Sequence, residues 1–170
     1  NIKWAPRIRW GALIDVPNIN GSTKSQTPVV GMALDLKSSN SLEIQRLQLK
    51  KSLIKGRLPK NLNEMLMGNS LAKDLDVALG QSVTVIGQSF DGGLVADNYQ
   101  VVGLIRFGVT AMDKKMVLID IADAQNTFYM ENMVTDWLGF LPSSLSFNHY
   151  VKAKKIINFN LDTWKKNPPK

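Results

Sequence analysis

The sequence contains no cysteine, which excludes a disulfide framework, a thiolate zinc site and a cysteine nucleophile. It contains one histidine, so a Ser-His-Asp triad or a multi-histidine metal site would have to depend on His149. Because His149 has no second ligand beside it, we interpret it as a structural histidine. The longest apolar runs, Val29–Leu36 and Met116–Ala122, are interrupted by Gly or Asp and fall short of the ~20 residues of a membrane-spanning helix.

Nucleotide-binding and hydrolase motifs are also missing. The sequence has no P-loop, no GxSxG elbow and no GxGxxG fingerprint, and the Asp-Gly-Gly segment at 91–93 is too short to cradle a phosphate. The acidic pairs Asp74/Asp76 and Asp91/Asp97 lie at a predicted helix end and a predicted turn, where local backbone bonding is favoured over calcium or glycosidase chemistry. We therefore predict a non-catalytic domain without a cofactor, a metal site or nucleotide binding.

Charge is distributed unevenly along the 170 residues, whose net charge is +7. Residues 1–60 carry 11 Lys and Arg against 3 acidic residues, residues 61–113 carry 2 against 6, and residues 114–170 carry 8 against 5. An acidic middle between basic flanks indicates two units with different surfaces, the second inserted in the first.

The densest basic cluster comprises Lys50, Lys51, Lys55, Arg57 and Lys60. No aromatic side chain that could stack on bases lies in that stretch, so we favour a solvated face and expect no nucleic-acid partner. A membrane surface or an acidic partner stays open as an alternative for this cluster.

Apolar periodicity predicts the secondary structure. Strands are predicted over Ile8–Val16, Pro28–Leu36, Val83–Ile86, Tyr99–Phe107, Met116–Ile119 and Val134–Leu141. Helices are predicted over Ser41–Lys55, over Leu71–Leu75 with Asn69 or Ser70 as cap, from Asp120 and Asp123 to about Met130, and over a closing segment whose apolar face contains Phe147, Tyr150, Ile157, Leu161 and Trp164. A strand over Leu47–Leu49 is an alternative within the first helix.

The order of residues is similar to that of a known family. The segments that carry the similarity are MLMGNSLAKDL at 65–75, GQSVTV at 80–85, YQVVGL at 99–104, Asp113 before a strand, and ADAQ at 122–125. Pro6-Arg7 with Gly11-Ala12-Leu13, Val30-Gly31 with Asp35, and Gly56-Arg57 follow the family's spacing more loosely. Together they resemble the MacB-like periplasmic core domain of FtsX-like ABC transporter permeases. Gln81 replaces the family's usual acid, and Asp35 lacks the proline that often follows.

This resemblance implies an α+β fold with two subdomains. Residues 1–58 and 114–170 would form a Porter-like subdomain, and residues 59–113 a β-rich, Sabre-like subdomain inserted into it. On this division, Ile8–Val16 would not pair with Val83–Ile86 in one continuous sheet.

The resemblance also implies a place and a role. The domain would lie on the periplasmic face of the cytoplasmic membrane, anchored by transmembrane helices outside this chain. It would engage a substrate or adaptor protein and transmit conformational change driven by a cytoplasmic ATPase subunit or domain. Its implied partners are the transmembrane part of the permease, that ATPase and a periplasmic adaptor or lipoprotein, in a dimer or heterodimer. Lipoprotein release and efflux both fit.

The predicted hairpin from Gln88 to Asn98 is the first candidate for partner contact. Its apolar residues are Phe90, Leu94 and Val95. In lipoprotein-releasing permeases a longer, proline-bounded hairpin at the corresponding place hooks the lipoprotein carrier. Because the connection here is shorter and has no proline, carrier capture is not expected, and a solvated turn is favoured over a partner role.

Two other classes of function stay open: a basic-faced extracytoplasmic module that binds an anionic surface or polymer, and an enzyme with an unrecognised site. The chain begins at Asn1 without an initiator methionine or a leader, so we expect it to be processed or to be a piece of a longer protein. Hydrophobic segments encoded on both sides, with an ATPase fused or encoded nearby, would favour the permease.

Overall fold

The computed structural model describes residues 3–140 and 150–158. Its strands are β1 (Lys3–Pro17), β2 (Thr23–Leu34), β3 (Leu53–Gly56), β4 (Glu64–Gly68), β5 (Ser82–Gln88), β6 (Leu94–Ile105), β7 (Met116–Asp120) and β8 (Asp136–Phe140). Its helices are α1 (Leu42–Arg46), α2 (Leu49–Ser52), α3 (Asn69–Asp74), α4 (Thr110–Lys115), α5 (Ile121–Thr127) and α6 (150–158).

The chain divides into two compact units. The larger unit is Ala5–Leu138, and the smaller unit comprises residues 1–4 and 139–170. In the smaller unit, α6 agrees with part of the predicted closing helix. The rest of that prediction falls outside the described residues, as do Phe147, His149, Leu161 and Trp164.

The strands form one mixed eight-stranded sheet in the order β2-β7-β4-β6-β5-β1-β8, with β3 pairing β6 and β1 also pairing β2. β1 and β2 form a long antiparallel hairpin, and Gly21 in its turn has a φ of +80°. β7 pairs with β2 in parallel, β4 pairs with β6 in parallel, and β4 and β7 are antiparallel. This mixed sheet with short helices confirms the predicted α+β class.

The central strands β4 and β7 supply side chains to two core clusters. On β4, Met65 and Met67 belong to the larger cluster and Leu66 to the smaller one, because successive side chains of a strand point to opposite faces. Leu118 of β7 joins Leu66, and Leu49 of α2 covers this smaller cluster. Burial on both faces explains why β4 and β7 read as continuous apolar runs.

The structure contradicts the predicted division into separately packed lobes, 1–58 with 114–170 against 59–113. Ile14 of β1 lies opposite Val85 of β5 in an antiparallel pair, which is the pairing that the division excluded. The larger core cluster also takes side chains from both predicted lobes. The distribution of charge along the chain gave the wrong division, because charged side chains lie on the surface. Strand pairing depends on the buried faces.

The predicted helix Ser41–Lys55 is wrong as a single helix. The chain forms α1, breaks at Gln48, forms α2 and then continues as β3. Gln48 has a φ of 49°, and a left-handed residue cannot continue a right-handed helix. The alternative strand over Leu47–Leu49 is also wrong, since Leu49 begins α2.

One of the two predicted helix N-caps is confirmed and the other is wrong. Asp120 caps α5 as predicted, since its side chain accepts a hydrogen bond from the N–H of Ala122 at 3.1 Å. For α3 the predicted caps Asn69 and Ser70 are wrong, because Gly68 is the N-cap and gives no side-chain bond. Strand β3 and helix α4 were not predicted.

One buried carboxylate organises the connection from β3 to β4. Glu64 accepts hydrogen bonds from both terminal nitrogens of the Arg57 guanidinium, at 2.7 and 2.6 Å. The backbone N–H groups of Lys60 and Asn61 donate to it at 2.7 and 3.1 Å, and the Asn61 side chain donates at 2.8 Å. Arg57 first, and then these amides, lower the pKa of Glu64 well below its ordinary value.

Replacing this carboxylate tests its role in stability. We expect Glu64→Gln to lower the free energy of unfolding by roughly 2–3 kcal/mol near neutral pH, because hydrogen bonds to a charged group are stronger than those to a neutral one. Since the pKa of Glu64 is lower in the folded chain than in the unfolded one, its stabilisation is full above about pH 5 and declines as the pH falls.

Urea denaturation as a function of pH measures this. The stability difference between the parent and the Glu64→Gln variant should be constant above about pH 5 and should shrink progressively as the pH falls below it. Asp74→Asn, at an exposed carboxylate, is the control and should leave stability unchanged. A stability difference between parent and Glu64→Gln that does not vary with pH would contradict the assignment.

Candidate partner and ligand surfaces

The turn between β5 and β6 is residues 89–93, shorter than the predicted connection Gln88–Asn98. Ser89 is buried, and its hydroxyl bonds to the carboxylate of Asp91 and to the carbonyl of Gly93. The hydroxyl of Ser89 is the main cause of a lowered pKa at Asp91. The turn is therefore closed by its own hydrogen bonds.

Two of the three apolar residues predicted for partner contact are exposed. Phe90 is 67% exposed and Leu94 is 83% exposed, whereas Val95 is buried in the larger core cluster. The difference follows from strand geometry, because β6 begins at Leu94 and the next side chain points to the other face. Val95 is therefore not available on the surface.

The turn is attached to the end of α5. The N–H of Phe90 donates to the carbonyl of Phe128 at 2.8 Å. The next residue, Tyr129, has a φ of 54° and is 64% exposed. Sequence reasoning missed Tyr129 because it lies far along the chain from the turn. We call Phe90, Leu94 and Tyr129 the tip surface.

Of the predicted acidic residues, Asp91 has the expected local role, whereas Asp76 and Asp97 bond to residues far along the chain. Asp76 forms an ion pair with Lys24, and Asp91 bonds within its turn. Asp97 accepts hydrogen bonds from Thr127 at 2.7 Å and from Asn63 at 3.1 Å. Within residues 3–140 and 150–158, no group of three acidic, histidine or cysteine residues could hold a metal ion.

A cleft with a volume of about 530 Å³ lies between the loop after β2, helices α1 and α2, and the segment that precedes β4. Its cationic residues are Lys37, Lys50, Lys51 and Lys60. Its apolar residues are Leu36, Ile44, Leu58 and Pro59. We call it the lysine cleft.

The lysine cleft brings together part of the predicted basic cluster. Lys50, Lys51 and Lys60 line it, whereas Lys55 and Arg57 do not. Arg57 is engaged by Glu64. In the part of the chain that the structure describes, no acidic side chain pairs with the ammonium groups of the three lining lysines.

Lys37 is the fourth lysine of the cleft. It is not part of the basic cluster predicted from the sequence, because it lies apart from the other basic residues along the chain. Its ammonium group lies 2.9 Å from a carboxylate oxygen of Asp123 and 3.7 Å from one of Asp120. Asp120 also accepts a hydrogen bond from the N–H of Leu36 at 3.0 Å. These contacts fasten one wall of the cleft to α5.

Asp123 is fully buried, and its Oδ2 has no hydrogen-bond partner among the described residues. Burial raises the pKa of Asp123, and the hydrogen bond from Lys37 acts in the opposite direction. The Lys37 ammonium group is thus the main compensation for a buried charge.

A second ion pair fixes the helix that forms the other wall. Arg7 of β1 donates to both carboxylate oxygens of Glu43 on α1, at 2.7 and 2.8 Å. Glu43 is buried, and such bidentate pairs fix geometry as well as contributing energy. The neighbouring Ile44 is thereby placed at the cleft.

The comparison with solved structures identifies the fold. No protein-family model and no curated protein matches the sequence. The structure is similar to a crystal structure of the periplasmic region of MacB from Actinobacillus actinomycetemcomitans, with a TM-score of 0.64 and 11% sequence identity. The match covers 94% of this chain and 67% of that chain. At the level of fold, the predicted resemblance to a MacB-like periplasmic domain is confirmed. None of the described helices has the length and apolar character needed to span a membrane.

The Lys37–Asp123 pair makes a testable prediction about stability. We expect Lys37→Met to lower the free energy of unfolding by about 3 kcal/mol near neutral pH, because it leaves a buried carboxylate without its cation. Since burial raises the pKa of Asp123 in the folded chain, the loss should grow as the pH rises and should shrink as acid protonates the carboxyl group.

Two further variants make this prediction specific. Adding Asp123→Asn to Lys37→Met should restore most of the stability, because the buried charge is then gone. Lys24→Met breaks an exposed ion pair with Asp76 and should have little effect. An equal loss in both single lysine variants would contradict the role assigned to Lys37.

Proposed function

We propose that this chain is the extracytoplasmic domain of an ABC transporter permease. In this role it engages a substrate or adaptor protein and transmits movement that a cytoplasmic ATPase drives. The observation that carries the proposal is the likeness of its fold to a MacB periplasmic region over 94% of the chain. The order of sequence segments also resembles that of the same family.

The proposal includes a location and partners. The domain lies on the periplasmic face of the cytoplasmic membrane, anchored by transmembrane helices of the same permease, and works in a dimer or heterodimer. The ATPase is a separate cytoplasmic subunit or domain, and the domain itself is not catalytic. The external partner is a periplasmic adaptor or a lipoprotein substrate, so both efflux and lipoprotein release are compatible with it.

Within this role, the tip surface is the contact that we propose for the external partner. Its three large side chains are exposed. Phe90 lies on the turn, Leu94 begins β6 beside it, and Tyr129 follows Phe128, whose carbonyl accepts from the N–H of Phe90. The turn is also closed by the hydrogen bond from Ser89 to Gly93. A fixed backbone lowers the conformational entropy lost on binding. Three side chains are fewer than the ~20–30 residues per side of a standard interface, so the tip surface is one part of a larger contact.

The test is Phe90→Ser with Leu94→Ser in the complete transporter. We expect export and substrate-stimulated ATPase activity to fall by about fivefold or more, because exposed aromatic and aliphatic anchors contribute most at interfaces. Basal ATPase activity and the melting temperature should be unchanged, since neither side chain is buried.

The matched control is Ile19→Ser with Val109→Ser, which also removes two exposed apolar side chains but lies outside the tip surface. This control should retain full activity. Unchanged activity in the tip variant, with unchanged folding, would show that the turn has a structural role alone.

A further inference from the structure

The lysine cleft combines two kinds of surface that usually lie apart. Leu36, Ile44 and Leu58 form an apolar floor, and three lysines without acidic partners among the described residues stand around it. We propose that the lysine cleft binds an acidic amphiphile, a molecule with one phosphate or carboxylate group next to a short apolar chain. The proposal does not depend on the transporter role.

The floor is backed by the protein core, so it is a preformed surface. Leu36 is 2% exposed and belongs to the smaller core cluster. Ile44 and Leu58 are half-buried and pack against the same cluster. An apolar ligand chain that covers them would remove their remaining surface from water, which is favourable in proportion to the area covered.

The lysines give the cleft its charge. Lys50, Lys51 and Lys60 are exposed and line the same cavity, so an anion bound among them would offset the mutual repulsion of their like charges. Lys37 is neutralised by Asp123 and is therefore part of the wall rather than of the anion site. The serine hydroxyls of Ser38 and Ser39 also line the cleft and can donate to an oxyanion.

The size of the cleft selects among anions. A volume of about 530 Å³ lies within the range of small-molecule sites, which is roughly 300–1,000 Å³. None of the described residues that line the cleft is aromatic, so they offer no base stacking. Inorganic phosphate would use the lysines and leave the floor uncovered. An anion that carries an apolar chain uses both surfaces.

Isothermal titration of the 170-residue chain with decyl phosphate, below its micelle concentration, tests the proposal. We expect saturable 1:1 binding that weakens as salt is added, and at least about tenfold weaker binding of inorganic phosphate and of neutral decyl maltoside. Shortening the chain from decyl to hexyl should weaken binding by about threefold per methylene while the floor is being filled.

The protein variants separate this site from general electrostatic attraction. Lys50→Gln with Lys51→Gln and Lys60→Gln should weaken decyl phosphate binding by about tenfold or more. The control, Lys73→Gln with Arg106→Gln and Lys114→Gln, removes the same charge from exposed residues outside the cleft and should bind like the parent. If the triple cleft variant does not fold, the single variant Lys60→Gln replaces it in the same binding measurement.

Three results would overturn the proposal. Equal loss of affinity in the cleft variant and the control variant would mean that net charge alone attracts the anion. Equal affinity for inorganic and decyl phosphate would mean that the floor is not used. Unchanged affinity in a folded cleft variant would place the anion elsewhere.

Discussion

The Glu64 carboxylate connects the sheet to the surface that we assign to ligand binding. β3 and β4 both pair with β6, and the chain between them must turn over the edge of the smaller core cluster. Arg57 and the amides of Lys60 and Asn61 converge on Glu64 and fix that turn. The residues so fixed include Leu58, Pro59 and Lys60, which form one side of the lysine cleft. Without this carboxylate, five hydrogen-bond donors would lose their acceptor. The segment that forms this side of the lysine cleft would then lose its fixed conformation.

Two further ion pairs around the cleft follow the same physical pattern. In each, a buried carboxylate pairs with a cation that keeps part of its side chain in water: Glu43 with Arg7, and Asp123 with Lys37. A partly solvated cation retains hydration, which reduces the cost of burying the pair. These pairs use Arg7, Lys37 and Arg57 for the fold. Because the buried acids pair with these three cations, Lys50, Lys51 and Lys60 are left for an external anion.

Local signals in the sequence predicted the elements that depend on local chemistry. The Asp120 cap and the apolar run of β7 were both found, since capping and burial leave short, direct patterns. The break at Gln48 was not, because its left-handed backbone has no marker in a sequence of strong helix formers. The long-range pairing of β1 with β5 depends on which faces are buried, which the charge partition does not report. The same distinction holds for the candidate sites. The sequence pointed to Phe90 and to the lysines of α2. Tyr129 and Lys37 are distant from them along the chain and come near them only in the folded structure.

The central claim, that this domain lies outside the cytoplasm, can be measured directly with a single cysteine. The 170 residues contain no cysteine, so Ile19→Cys in the full-length protein adds a thiol at a fully exposed position outside the tip surface. Ala124→Cys, at a fully buried position, reports labelling that requires unfolding, and the unsubstituted protein gives the background. A membrane-impermeant maleimide applied to intact cells should label Ile19→Cys and leave Ala124→Cys unlabelled. Labelling of Ile19→Cys only after the cytoplasmic membrane is lysed would contradict the account.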